Sequence, residues 1–158
     1  MGIMACLAAN TLYDIRAGGH LWVSLNWALG LQAAGCRVIW LEPIDVRKPK
    51  HETEALIAAL KTALRPYGFA DSVALCVWGS ERPVAAEEQG CGNLEEAVQA
   101  DLLLNLTYDG VARGLLARFR RSALVDIDHG LTQIWTSENQ LKVPPHDFFS
   151  QLVKQWVS

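Results

Sequence analysis

Hydrophobic and polar positions along this chain come in blocks rather than in strict alternation. An apolar run at Ile3 to Ala8 gives way to a polar loop, then a helical pattern over Leu21 to Ala34, then a second apolar run from Arg37 to Leu41. Unbroken apolar runs suit parallel strands covered on both faces, and the order strand, loop, helix, strand is a β-loop-α-β unit. Further along, the pattern predicts a helix from near His51 to Arg65 with Leu56, Ile57, Leu60 and Leu64 as its buried stripe, and a strand over Ser72 to Trp78. A turn-rich stretch from Gly79 to Gly92, a short helix capped by Asn93, a strand over Asp101 to Leu106, a helix over Gly110 to Arg121 and a strand over Ala123 to Ile127 complete the series. The fold class expected is α/β: one three-layer, Rossmann-like domain over residues 1–158, with a mostly parallel five-stranded sheet in the order 3-2-1-4-5. The tail carries two helical stripes, Phe148-Leu152-Trp156 and Phe149-Val153-Val157, which predict an apolar C-terminal helix over about 146–157. So wide an apolar face has to be covered, by this domain or by an oligomer contact.

The junction between the first strand and the first helix holds the early chemistry. Gly18 and Gly19 lack a Cβ, so they can take positive φ and let another group come close to the backbone. First-turn amides of the following helix have no partner within it and can face an anion or a sugar hydroxyl. The spacing is neither Gly-x-Gly-x-x-Gly nor a Walker motif, and a tight turn that merely begins a helix fits it as well. Glu42 stands about twenty residues on, where nicotinamide-binding folds hold a ribose-binding acid, although a Glu closing a strand before Pro43 is the commoner arrangement.

Parallel strands bring their carboxyl ends to one edge, and ligands of open α/β sheets bind there. Strand one ends at the glycine turn, strand four at Asn105, Thr107 and Asp109, and strand five at Asp128-His129. Asn105 suits either ligand contact or the local backbone. His20, Asp128 and His129 are the titratable members of the expected crevice; an imidazole accepts a proton near neutral pH and a carboxylate orients it. Taken singly, each His is more often a surface or structural residue than a catalyst. Asp126 and Asp128, two apart on a strand, do not amount to a metal site, because one of them suits a helix cap.

Three segments carry a resemblance: Ala17-Gly18-Gly19-His20-Leu21-Trp22, Asn26-Trp27-Ala28-Leu29-Gly30-Leu31 and Gly35-Cys36-Arg37-Val38-Ile39-Trp40-Leu41-Glu42. Together they resemble the N-terminal domain of GT-B glycosyltransferases, and the Gly-Gly-His turn is similar to that of the lipid-linked muramyl-pentapeptide glucosaminyltransferases. Val125 to Trp135, with Asp126, Asp128, His129, Thr132 and Gln133, resembles a strand-end segment of bacterial GT-B-like proteins, with His129 where Pro is expected. The resemblance implies an acceptor-side domain, stand-alone or truncated. A sugar, glycolipid or phosphorylated small molecule would be held by Gly18, Gly19, His20, Asn105, Asp128, His129, Thr132 and Gln133. No catalytic set is assigned; His20 and Asp128 are the candidates for activating an acceptor alcohol. No cofactor or metal is expected. A nucleotide sugar would enter only with a donor-binding domain, on a separate chain, and no glycosyl transfer is expected without it. The alternative is a non-catalytic Rossmann-like interaction module that self-associates as a homo-oligomer through its Trp-rich or C-terminal apolar surface, with a nicotinamide enzyme third.

Composition narrows these classes. A chain of 158 residues, 51% apolar and 20% charged, is long enough to bury a core without staples. Its formal charge of −3, from 14 basic and 17 acidic side chains, leaves no footprint for nucleic acid. The Arg113, Arg118, Arg120, Arg121 cluster reads as a solvated basic face before it reads as a phosphate or headgroup contact. Cys6, Cys36, Cys76 and Cys91 form neither Cys-x-x-Cys nor a zinc-spaced set with His, and the first three sit in or beside apolar strand patterns. With no basic region before the first apolar stretch and no apolar run of about twenty residues, neither signal peptide nor transmembrane segment is expected, and the cytoplasm is the default location.

Overall fold

Apolar runs become strands at all five expected places, and a sixth strand follows. The computed structural model describes residues 2–12, 15, 18–84, 94–127 and 134–151. Its strands are β1 (Met4–Ala8), β2 (Arg37–Ile44), β3 (Val73–Val77), β4 (Leu102–Asn105), β5 (Ser122–Asp126) and β6 (Phe148–Gln151). Between them run two long helices, α1 (Gly19–Ala33) and α2 (Lys50–Leu64), and single helical turns that include α3 (Leu94–Ala97) and α4 (Arg113–Leu116). The sheet order is β3-β2-β1-β4-β5-β6, and every pairing is parallel. β1 is central: Ala5 sits between Val38 of β2 and Leu102 of β4.

Side chains on a strand alternate between the two sheet faces, so the apolar runs feed two cores. On one face Leu7, Trp40, Leu75 and Leu104 pack with Leu25 and Ala28 of α1 and with Ile57, Leu60 and Leu64 of α2. On the other, Cys6, Ile39, Leu41, Ala74 and Leu103 meet Ala97 of α3, Leu115 and Leu116 of α4, and Phe119. The stripe expected for α2 is largely the one it buries; only Leu56 stays partly exposed. Leu60 is fully buried, and truncating such a leucine to Ala costs about 2–5 kcal/mol. Among the described residues no helix is long and apolar enough to cross a membrane.

Three expectations need correction. The sheet has six strands, not five, because Phe148–Gln151 is not the start of a helix but a strand paired in parallel with β5, Leu124 opposite Phe149. A sheet ending at β5 would leave that strand's outer backbone groups unpaired, and β6 satisfies them. Asp147 anchors it by accepting a hydrogen bond from the Ser122 amide at 2.8 Å. Adjacent aromatics fit a strand as readily as two helical stripes, and Pro144-Pro145 delivers the chain already extended. The rest of the expected helix, 152–158, lies outside the described residues. Second, the helix expected over Gly110 to Arg121 is only the single turn of α4. Third, β2 runs on through Pro43 to Ile44, with Pro43 opposite Cys76. A proline is tolerated there because it faces the side on which β1 has already ended: Ala9 makes the last bond, to the Leu41 carbonyl at 2.9 Å.

Candidate ligand cleft at the carboxyl edge

Because every strand is parallel, the loops that follow them gather at one rim. Asn10 and Leu12 follow β1, Asp45, Arg47 and Lys48 follow β2, Trp78 follows β3, and Tyr108 follows β4. Together with His20 of α1 and Trp135 they line a cleft of about 440 Å³. A second cleft of about 600 Å³ shares Ile44, Asp45, Arg47 and Trp78 with the first and continues to Arg82, Asp109, Arg113 and Lys142.

Gly18 caps α1 with φ at 76°, the left-handed region that glycine enters without strain, and its carbonyl accepts from the Trp22 amide at 3.0 Å. The two glycines thus do what a helix-starting turn requires, and His20 reaches the first cleft. Asp128, His129, Thr132 and Gln133 lie outside the described residues, so the convergence of the glycine turn with the Asp-His corner is not described. Asp126, the last residue of β5, is buried at 1% exposure.

Asn105 is fully buried, and its amide is filled by the protein. Oδ1 accepts from the Thr107 amide at 2.9 Å and from the Thr107 hydroxyl at 2.7 Å; Nδ2 donates to the Tyr108 carbonyl at 3.0 Å and meets His146 Nε2 at 3.1 Å. The Pro144 carbonyl, 2.7 Å from His146 Nδ1, can only accept. Nδ1 therefore carries the proton and Nε2 accepts from Asn105. Burial holds the His146 pKa below its ordinary value, partly offset by the Pro144 carbonyl and Asp147. Of the two sequence readings of Asn105, the service to local backbone is the one this geometry displays.

Tyr108 braces the same edge. It takes φ of 58°, unusual for a residue with a side chain, and its hydroxyl donates to Asp126 Oδ1 at 2.9 Å while accepting from the Ile127 amide at 3.2 Å. The conformation is fixed from both sides: Asn105 grips its carbonyl and β5 grips its ring. Gly110 closes the loop, since a Cβ there would stand 2.7 Å from Thr107 Oγ1 and 3.2 Å from Pro43 Cγ.

Glu42 is not a ribose ligand on the rim. It is fully buried on the α1/α2 face, where its carboxylate accepts from the Thr11 amide at 3.1 and 3.2 Å, from the Thr11 hydroxyl, and from Trp40 Nε1 at 3.0 Å. Burial pushes its pKa up to about 7, against the pull of these hydrogen bonds. Thr11 lies between Asn10 and Leu12, so the buried carboxyl sets the loop whose neighbours line the cleft.

Sequence reasoning passed over Trp78, Tyr108 and His146. Trp78 reads as the last residue of an apolar strand, and Tyr108 hides between Thr107 and Asp109, both visible as strand-end polar groups. His146 gives no local signal, since its partner Asn105 is 41 residues away. Among the described residues no group of His, Cys, Asp and Glu is arranged to hold a metal ion. Comparison with protein-family models, with curated proteins and with solved structures gives no match.

Proposed function

We propose that this chain is a glycosyltransferase-like acceptor-binding domain of the GT-B type, holding a sugar, glycolipid or phosphorylated ligand in the carboxyl-edge cleft. The observation that carries the reading is the pairing of aromatic and polar walls in the 440 Å³ cleft. Trp78 and Trp135, 37% and 38% exposed, stand there with Tyr108 beside Asn10, His20, Asp45 and Lys48. Rings offer flat apolar surface to the carbon face of a sugar, and amide, imidazole and carboxylate groups take its hydroxyls. His20 is the candidate proton acceptor for an acceptor hydroxyl. Transfer itself needs a donor-binding domain to bring the nucleotide sugar and to stabilise the leaving diphosphate. A reducing cytoplasm fits the buried free thiols of Cys6 and Cys76.

Calorimetric titration with chito-oligosaccharides tests the proposal. Saturable binding, weakened at least tenfold by Trp78→Ala or His20→Ala, is the expected result; no heat with any glycan refutes it. A second reading, the self-associating interaction module, is favoured by α1. Trp22 is 56% exposed there, its ring set edge-on to Tyr67, and the same helix carries an apolar groove of about 540 Å³ lined by Val23, Trp27 and Leu31. Light scattering decides that alternative: a monomer at high concentration excludes it.

A further inference from the structure

The cleft beyond Trp78 differs in character from the aromatic one. Arg82 follows β3, Arg113 opens α4, and Lys142 lies on the segment leading to β6; all three line the 600 Å³ cleft. Elsewhere on the surface five cations stand against carboxylates, Arg37 with Glu96, Arg118 with Glu95, Arg120 with Asp101, Lys48 with Glu52 and Lys50 with Glu54, while Arg65 and Arg121 form no ion pair among the described residues and do not line the cleft. Arg47, on the shared wall, is bound through Nε and Nη2 to Asp45, both at 2.9 Å. Arg82, Arg113 and Lys142 form no ion pair among the described residues, in a chain whose 17 acids outnumber its 14 bases. The remaining carboxyl of the cleft, Asp109, does not neutralise them. Its pKa is held above the usual range by burial, opposed only by its own backbone amide, with no nearby cation contributing.

Three cations from separate segments line one concave surface, and among the described residues no ion pair offsets their charge. An anion with several oxygens would. Arginine forks match phosphate oxygens in pairs, and lysine serves as a point charge beside them. We propose that Arg82, Arg113 and Lys142 form a subsite for a phosphoryl group, a phosphate or diphosphate ester whose glycosyl part lies across Trp78 in the neighbouring cleft. The glycosyl half rests on the function proposed above; the phosphoryl half stands without it.

Inorganic pyrophosphate, which carries no sugar, therefore tests the subsite alone. Calorimetry on the full chain at low ionic strength should give saturable one-to-one binding that weakens as salt is added. Arg113→Gln and Arg82→Gln should each weaken it roughly tenfold, Arg113→Lys less, and Arg118→Gln, outside the cleft, not at all. These side chains are exposed, and thermal melts confirm that the variants fold. Absence of saturable heat, or equal affinity in the triple variant Arg82→Gln, Arg113→Gln, Lys142→Gln, overturns the proposal. Retention on phosphatidic acid vesicles, reversed by pyrophosphate, would place the phosphoryl group on a lipid. Pyrophosphate binding without retention would place it on a soluble ester, and both results uphold the subsite. Glycan binding without pyrophosphate binding refutes the subsite but not the acceptor reading, and the converse result does the opposite.

Discussion

Replacing Glu42 by Gln should remove most of one pH-dependent cost from the folded state. A carboxyl in solution titrates at 4.5, and Glu42 in the fold titrates at about 7 because ionising it means holding a charge away from water. The folded state therefore holds a proton that the unfolded state has already lost between those values. Its contribution to stability is complete below 4.5 and disappears as pH rises through 7. At 1.36 kcal/mol per pH unit the whole effect is about 3 kcal/mol, most of which falls between pH 5 and pH 8. Gln keeps an oxygen for the Thr11 hydroxyl and Trp40 Nε1 but has no charge to bury. Urea denaturation of both proteins at pH 5 and pH 8 isolates the carboxyl, because the opposing term from His146, whose folded pKa is lowered, is common to both. The stability of Glu42→Gln relative to the parent should rise by about 2–3 kcal/mol across that interval. A constant difference would refute the reasoning, and would mean that the hydrogen bonds from Thr11 and Trp40 outweigh burial and keep the group ionised throughout.

Tyr108→Phe removes the hydroxyl that joins Asp126 to the Ile127 amide and should cost about 1–3 kcal/mol in urea denaturation; an unchanged midpoint would show the link to be dispensable. Gly110→Ala drives a methyl into Thr107 and Pro43 and should lower stability by about 1–3 kcal/mol, read as a lower melting temperature. Asp147→Ala deprives the Ser122 amide of its acceptor and should raise hydrogen exchange over 148–151, whereas helical chemical shifts for that stretch in the parent would contradict the strand.

Most of the sheet was legible in the sequence because a buried parallel strand has a compositional signature. Leu7, Trp40, Leu75 and Leu103 lie in unbroken apolar runs, and the glycines and prolines between runs mark the turns. β6 was illegible for a physical reason: what makes it a strand is the open edge of β5, which no local pattern records, while two adjacent phenylalanines serve either period. Glu42 misled in a similar way. A glutamate at a strand end reads as an exposed ligand, and only the tertiary arrangement of Thr11 and Trp40 around it turns it inward. At the site, the glycine turn and the strand-four polar cluster were visible, while the cleft's aromatic wall was not, since Trp78 and Tyr108 belong to patterns that core residues also make.

The buried polar residues at the strand ends share one arrangement. Glu42, Asn105 and Asp126 occupy the last positions of their strands or nearly so, each at 0–1% exposure, where exposed side chains would need no partner. Each instead reaches into a different loop: Glu42 to Thr11 after β1, Asn105 to Thr107 and Tyr108 after β4 and to His146 before β6, Asp126 to the hydroxyl of Tyr108. An apolar residue at any of these places would serve the core better, because burying a polar group stabilises nothing unless its bonds are replaced. What the polar residues supply is position. Backbone groups released at the strand ends are tied to fixed side chains rather than to water, so the loops that line the two clefts are held from below by the sheet itself. The rim is thus built in two tiers, a buried polar layer that fixes loop shape and an exposed layer of Trp78, His20, Arg82 and Arg113 free to meet a ligand. Substitutions in the lower tier should therefore alter stability and binding together, and substitutions in the upper tier binding alone.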